Sequence, residues 1–141
     1  FPGVISYDTV PSGGTTDYAP QMINCAKKGE KFECKLSPKT KLPFIGIDQT
    51  ISSIIDLMNL EIIESKLRVF NVQEASFSVK ELSDFLSKKF PSFQIAYNED
   101  KNFQSVADTW PSSLNCKKAN KFWNFTTEKD FEVFLEKIIN K

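Results

Sequence analysis

Apolar positions along this chain switch repeatedly between the period of a strand and the period of a helix. Residues 1–6 form a short apolar run and read as the end of a central parallel strand. Pro2 lacks a ladder donor, which places it at the strand's end. Tyr18, Met22, Cys25 and Ala26 then recur at helical spacing and predict a helix over 17–28, with Pro20 in its first turn. Gly29 stops that helix, and Lys27 and Lys28 suit its negative end. Phe32, Cys34 and Leu36 alternate with Glu33 and Lys35, the pattern of a half-buried strand. A turn over 37–40 leads to a more buried strand over 42–47, and Ile51, Ile54, Ile55 and Met58 mark an amphipathic helix. Asp48 or Thr50 is its expected cap.

The second half continues the alternation. Residues 67–72 read as a strand. Ser78 and Glu81 have capping-box spacing, Phe77 and Leu82 have staple spacing, and Leu82, Phe85 and Leu86 share the face of the helix they open. That helix stops before Pro91, and Phe93, Ile95 and Tyr97 alternate as a strand. Residues 98–103 read as a polar connection and 114–123 as a short helix. A last helix is expected over 127–140, capped by Thr127 and Asp130, with Phe131, Phe134, Leu135 and Ile138 as its stripe.

The stretch that organises the chain is Pro-Ser-Gly-Gly-Thr-Thr-Asp-Tyr at 11–18. Two glycines free the backbone to turn. Two hydroxyls and a carboxylate follow, and a helix begins at once. Thr15 or Thr16 is expected to cap its first turn. A loop feeding a helix N-terminus can hold an anionic group; a capped turn with no ligand is the plainer alternative.

Composition narrows the function classes. The 141 residues bound one domain, and eighteen basic residues against eighteen acidic ones give no electrostatic case for nucleic acid or a membrane surface. No apolar run approaches spanning length. Histidine is absent, and no metal site is expected. Cys25, Cys34 and Cys116 make an odd count without paired spacing, read as free thiols of an intracellular, reducing compartment. Asn124-Phe-Thr126 fits the glycosylation pattern but is discounted on that ground. Since Phe1 opens the chain inside an apparent strand, the chain is expected to be a piece of something longer.

Phe-Pro-Gly-Val-Ile-Ser at 1–6 followed by Gly-Gly-Thr-Thr-Asp-Tyr-Ala at 13–19 resembles the L-threonine 3-dehydrogenases of the short-chain, epimerase-like superfamily. Further matches follow in order: Lys-Lys-Gly at 27–29, Phe-Glu-Cys at 32–34, Thr-Lys-Leu-Pro at 40–43, Asp-Leu-Met at 56–58, Ala-Asp-Thr-Trp-Pro at 107–111, and Trp123. The resemblance spans the chain and covers only the C-terminal half of the enzyme. It implies an α/β fold: the C-terminal part of a Rossmann-like parallel sheet with a small mixed α/β substrate-binding lobe, residues 1–141 forming that half.

By the same resemblance the cofactor is NAD, met by Gly3 and Val4 through backbone groups, and the substrate is L-threonine, oxidised to 2-amino-3-oxobutanoate. Thr15 and Thr16 would hydrogen-bond the amino acid, Asp17 would balance its ammonium or simply sit favourably at a helix N-terminus, and Trp110 would wall the pocket, core packing being its plainer role. No catalytic residue is expected in the chain. The tyrosine–lysine pair would precede Phe1, in the missing N-terminal half with the Gly-rich dinucleotide turn, and the chain alone would be inactive. Tyr97 and Lys101 have the pair's spacing but sit at a strand end, and are rejected. The intact enzyme would be a homodimer, mitochondrial in a eukaryote and cytoplasmic otherwise.

The chain departs from the family at several positions. An aromatic is replaced by Gly46, an acidic helix opener by Gln49, an acidic pair by Asn115 and Cys116, an arginine by Asn120 and a glycine by Asn124. Two alternatives follow: half of a nucleotide-sugar epimerase or dehydratase, against which the missing basic residue counts, and a drifted, non-catalytic remnant.

Overall fold

The computed structural model describes residues 2–7, 13–61, 69–123, 125–128 and 130–141. Strands β1 (Gly3–Ile5), β3 (Lys41–Gly46) and β4 (Ala75–Ser78) make one sheet in the order β1-β3-β4. β1 and β3 run parallel, with Gly3 opposite Phe44 and Ile5 opposite Gly46; β4 is antiparallel, with Phe44 opposite Ala75. A parallel pair β2 (Lys31–Cys34) and β5 (Gln94–Tyr97) forms the second sheet. Helices α1 (Tyr18–Lys28), α2 (Ile47–Met58), α3 (Val79–Lys89), α4 (Lys101–Ala107), α5 (Lys117–Trp123) and α6 (Phe131–Ile139) complete the fold. The expected α/β class is what the chain adopts.

Phe44 is the centre of the core. Its ring stacks on Phe77 with centroids 4.5 Å apart, and Tyr18 meets its edge at 6.0 Å. Phe134 of α6 approaches Phe77 at 6.2 Å, so the central strand, its antiparallel neighbour and two helices share one aromatic cluster. Each element arrives there through its own periodicity. α1 buries Tyr18, Met22 and Ala26 as its spacing predicts, and closes at Gly29, whose φ of 70° is one glycine adopts without strain. β2 buries Phe32 and Cys34 and exposes the residues between. α3 opens with the expected capping box: the Ser78 hydroxyl accepts from the Glu81 N–H at 3.1 Å, and the Glu81 carboxylate accepts from the Ser78 N–H at 2.6 Å.

The structure corrects several expectations. The 98–103 connection contains the start of α4, capped by Asp100, whose carboxylate accepts from the Asn102 and Phe103 N–H groups at 2.9 and 3.1 Å. Residues 69–73 are not a strand, and the rest of that expected element lies outside the described residues. The last helix begins only at Phe131, because Asp130 rather than Thr127 caps it.

The largest difference concerns α2. Its apolar stripe of Ile51, Ile54, Ile55 and Met58 is 43–79% exposed, while Thr50 and Ser53 are buried. The small polar face packs inward, and the Thr50 hydroxyl donates to the Gly46 carbonyl at 2.9 Å. Neither Asp48 nor Thr50 caps the helix; Gly46 occupies the cap position. The hydrophobic period predicts the helix correctly, and among the described residues its apolar stripe is left largely exposed. An apolar stripe of this kind marks an association surface.

Candidate functional site

The Gly-Gly-Thr-Thr bend folds back onto the opening strand. A β-carbon on Gly3 would lie 2.8 Å from Cβ of Thr16 and 2.8 Å from ring carbons of Phe44. Only a glycine permits that approach. Thr16 is thereby seated on β1, and the helix that follows is aimed by the contact.

Asp17 holds the bend from the other side. Its Oδ2 accepts the Gly13 N–H at 2.9 Å and the Gly14 N–H at 2.8 Å, and the Asp17 N–H donates to the Gly14 carbonyl at 3.0 Å. Gly13 has a φ of 100°, which a side chain would strain. Asp17 occupies the N-cap position of α1, and the expected threonine cap is not formed. The two glycine donors that would make an anion cradle are therefore spent on the chain's own carboxylate. Among the described residues of the bend, the Thr15 and Thr16 side chains are the polar groups not committed to these internal hydrogen bonds. A cavity of about 160 Å³ opens beside it, between Gly13, Gly14, Asp17 and Gln21 on one side and Glu33 and Lys35 on the other.

The other expected site residues are more scattered. Val4 is 38% exposed, pointing away from the face that buries Gly3 and Ile5. Among the described residues β1 pairs only with β3, so its outer edge is open to a ligand or a further strand. Trp110 lies just past α4, 39% exposed, with its N–H on the Ala107 carbonyl at 3.1 Å. Among the described residues no hydrogen bond joins it to the bend. Tyr97 is engaged with Ser83, the hydroxyls 2.9 Å apart.

A second polar cluster was not foreseen. It lies where β1 and β3 end together, the edge at which parallel sheets hold ligands. The Tyr7 hydroxyl donates to Asp48 at 2.8 Å, and Lys141 pairs with the same carboxylate while lying 5.2 Å from the Tyr7 ring centroid. The Lys141 ammonium, and then the Tyr7 hydroxyl, hold the Asp48 carboxyl below its usual range. Glu74 accepts the Gly46 N–H at 2.8 Å, yet burial pushes its carboxyl up. The cluster lines a cavity of about 270 Å³ with Lys137 and Phe134. The sequence signalled only Asp48, and as a cap. Tyr7, Glu74 and Lys141 are brought in by tertiary folding from positions far apart.

Gly46 explains one departure from the resemblance. A β-carbon there would meet Ile138 Cδ1 at 3.0 Å and Glu74 Oε2 at 3.2 Å, so the space an aromatic would need is taken. Cys25, Cys34 and Cys116 are all free, and burial pushes each thiol up, the state of inert rather than reactive cysteines. Among the described residues no cluster of metal-ligating side chains occurs, and no helix is long and apolar enough to cross a membrane.

No family profile matches the chain. It is 38% identical over 140 residues to the mitochondrial L-threonine 3-dehydrogenase of Sus scrofa, covering 99% of this chain and 38% of that protein. The structure superimposes on a GalE-like L-threonine dehydrogenase from Cupriavidus necator with a TM-score of 0.89 and 29% identity, over 99% of this chain and 50% of that one. The L-threonine dehydrogenase of Phytophthora infestans gives a TM-score of 0.88 and 34% identity, over 99% and 46%. The resemblance read from the sequence is borne out, as is the fold: the chain matches the C-terminal part of these Rossmann-like enzymes. It spans half or less of the length of each.

Proposed function

We infer that this chain is the substrate-holding C-terminal part of an NAD-dependent L-threonine 3-dehydrogenase, which oxidises L-threonine to 2-amino-3-oxobutanoate. The observation that carries this reading is the seat of Thr16 on Gly3, which holds that residue of the bend beside the opening strand. In this reading Thr15 and Thr16 hydrogen-bond the carboxylate or ammonium of the amino acid. Asp17 keeps them in place by tying down Gly13 and Gly14. Its role is positioning rather than neutralising the ammonium.

The residues expected to meet NAD fit the group. Among the described residues β1 pairs only with β3, so its other edge can meet a flat ring through main-chain groups. The chemistry the nicotinamide supplies when bound is acceptance of hydride from the carbon bearing the threonine hydroxyl. The base that takes the hydroxyl proton is assigned to the part of the relatives that precedes the match, together with the Gly-rich dinucleotide turn. Trp110 is assigned to the outer wall of the pocket. The mitochondrial relative supports a mitochondrial compartment for a eukaryotic source.

The test is a graft. The chain replaces the matched 140 residues of the porcine relative, and binding of L-threonine is compared with binding of a UDP-hexose in the presence of NAD. Saturable threonine binding with no UDP-hexose binding is expected. The reverse preference would move the chain to the nucleotide-sugar enzymes, and binding of neither by a folded graft would mark a remnant.

A further inference from the structure

We infer that the outward stripe of α2 is the surface on which the polypeptide preceding this chain in the whole protein docks, through an apolar helix face of its own. Ile51, Ile54, Ile55 and Met58 run along the helix and stand in solvent, Met58 at 79%. The small polar side, Thr50 and Ser53, is the buried one, and α2 packs against β1 and β3. β1 is uncovered beside it. Val4 stands opposite Ile45 in the register, on the sheet face away from Phe44. Ile45 is buried there with Val72, Cys116 and Ala119, whereas Val4 is exposed. Among the described residues the other edge of β1 has no strand partner. A bare helix stripe, a bare strand residue and a bare edge thus occur on neighbouring elements.

The size of the stripe and the length of the relatives choose the occupant. Four side chains on one helix present on the order of a few hundred Å², against roughly 800 Å² per partner in a stable complex. Two copies meeting through it therefore associate weakly. Within one polypeptide the same contact gains an effective concentration of about a millimolar, and a small patch suffices. The relatives provide that polypeptide. The porcine protein and the dehydrogenases of Cupriavidus necator and Phytophthora infestans match 99% of this chain, and each is about twice its length or more. The match falls on their C-terminal part, so the extra length precedes β1. Parallel strands reach their neighbours through crossovers, usually helices, that lie on the sheet faces. A helix is thus the natural cover for a stripe that flanks an open parallel strand. The inference rests on the chain's place in this family and not on the assignment of threonine to the bend, and its test uses no substrate.

Met58 is the reporter. The chain holds two methionines, and the other, Met22, is fully buried in α1. Peroxide oxidises an exposed thioether faster than a buried one, so the two rates, read by peptide mass, report the cover over the stripe. In the 141-residue chain at submicromolar concentration, Met58 should oxidise at least roughly ten-fold faster than Met22. In the graft into the porcine relative, Met58 should slow roughly ten-fold at every protein concentration, with Met22 unchanged. Ile51→Glu with Ile55→Glu in the graft should return Met58 to the fast rate. The docking is overturned if Met58 is equally fast in chain and graft, which leaves the stripe in solvent. It is overturned equally if Met58 is already slow in the dilute chain, which then covers its own stripe, or if the slowing fades as the graft is diluted, which makes the occupant a second copy. If Met22 becomes fast in the graft, a sign of unfolding, residues 47–58 alone replace the corresponding helix of the porcine protein. Met58 must then oxidise roughly ten-fold more slowly than in a free peptide of the same residues, and an equal rate overturns the docking.

Discussion

Gly3 and Thr16 stand in direct contact: a β-carbon on Gly3 would come within 2.8 Å of Thr16 Cβ. The same carbon would press on Phe44, which is fully buried and has little room to yield. Gly3→Ala should therefore cost about 1–3 kcal/mol, the usual range for overpacking. A urea melt checks this through its midpoint. An unchanged midpoint would mean that the bend lifts off the strand without penalty, which the packing argues against.

Asp17 is expected to act on the backbone of the bend. Asp17→Ala removes the acceptor of the Gly13 and Gly14 N–H groups and should cost about 1 kcal/mol. Amide exchange at Gly13 and Gly14 should quicken far more than at Met22 or Ala26, which lie inside α1. Equal acceleration throughout the helix would show that the carboxylate supports α1 as a whole.

Glu74 should destabilise the chain at neutral pH. Burial raises its folded pKa above the unfolded value, so the folded state binds its proton more tightly. Stability from this group is present below the unfolded pKa and falls as pH rises from there through the folded pKa. Glu74→Gln keeps an acceptor for the Gly46 N–H and removes the charge. The variant should melt higher than the parent chain at pH 7–8, with the gap closing below about pH 4, near the ordinary glutamate value. A gap that persists in acid would point to packing rather than to charge.

The outward stripe of α2 should make the chain self-associate. Ile51→Glu with Ile55→Glu should lower the sedimentation-average mass toward that of a monomer. Since both residues are about half exposed, the stability change should stay within about 0.5 kcal/mol for each. Association unaffected by the double change would place the contact elsewhere.

How much of this was legible depended on how local each signal was. The α3 start was readable because Ser78, Glu81, Phe77 and Leu82 lie within six consecutive residues and act on one another directly. The bend was readable as a bend for the same reason, but its hydrogen bonds were not. Sequence favours Thr15 and Thr16 over Asp17, and only geometry shows the carboxylate turned back on the glycines. α4 was missed although Phe103, Val106 and Ala107 have helical spacing, because the polar run before them resembled a loop and Asp100 was not read as its cap. The Tyr7–Asp48–Lys141 cluster joins residues up to 134 positions apart, and no local pattern announces it. For α2 the period was plain, but a period cannot say whether the rest of this chain or something else covers the stripe.

The central claim is that the bend supplies the contact that holds threonine, and one substitution tests it. In the graft with the porcine relative, Thr16→Val keeps the β-carbon that meets Gly3 and removes only the hydroxyl. Threonine-dependent formation of NADH is then compared with and without the change. The account predicts a saturable rate in the graft and a loss of kcat/KM of roughly ten- to a hundred-fold in the variant, the cost of a hydrogen bond to a charged group. An unaltered kcat/KM, in a variant that melts at the same temperature, would contradict it.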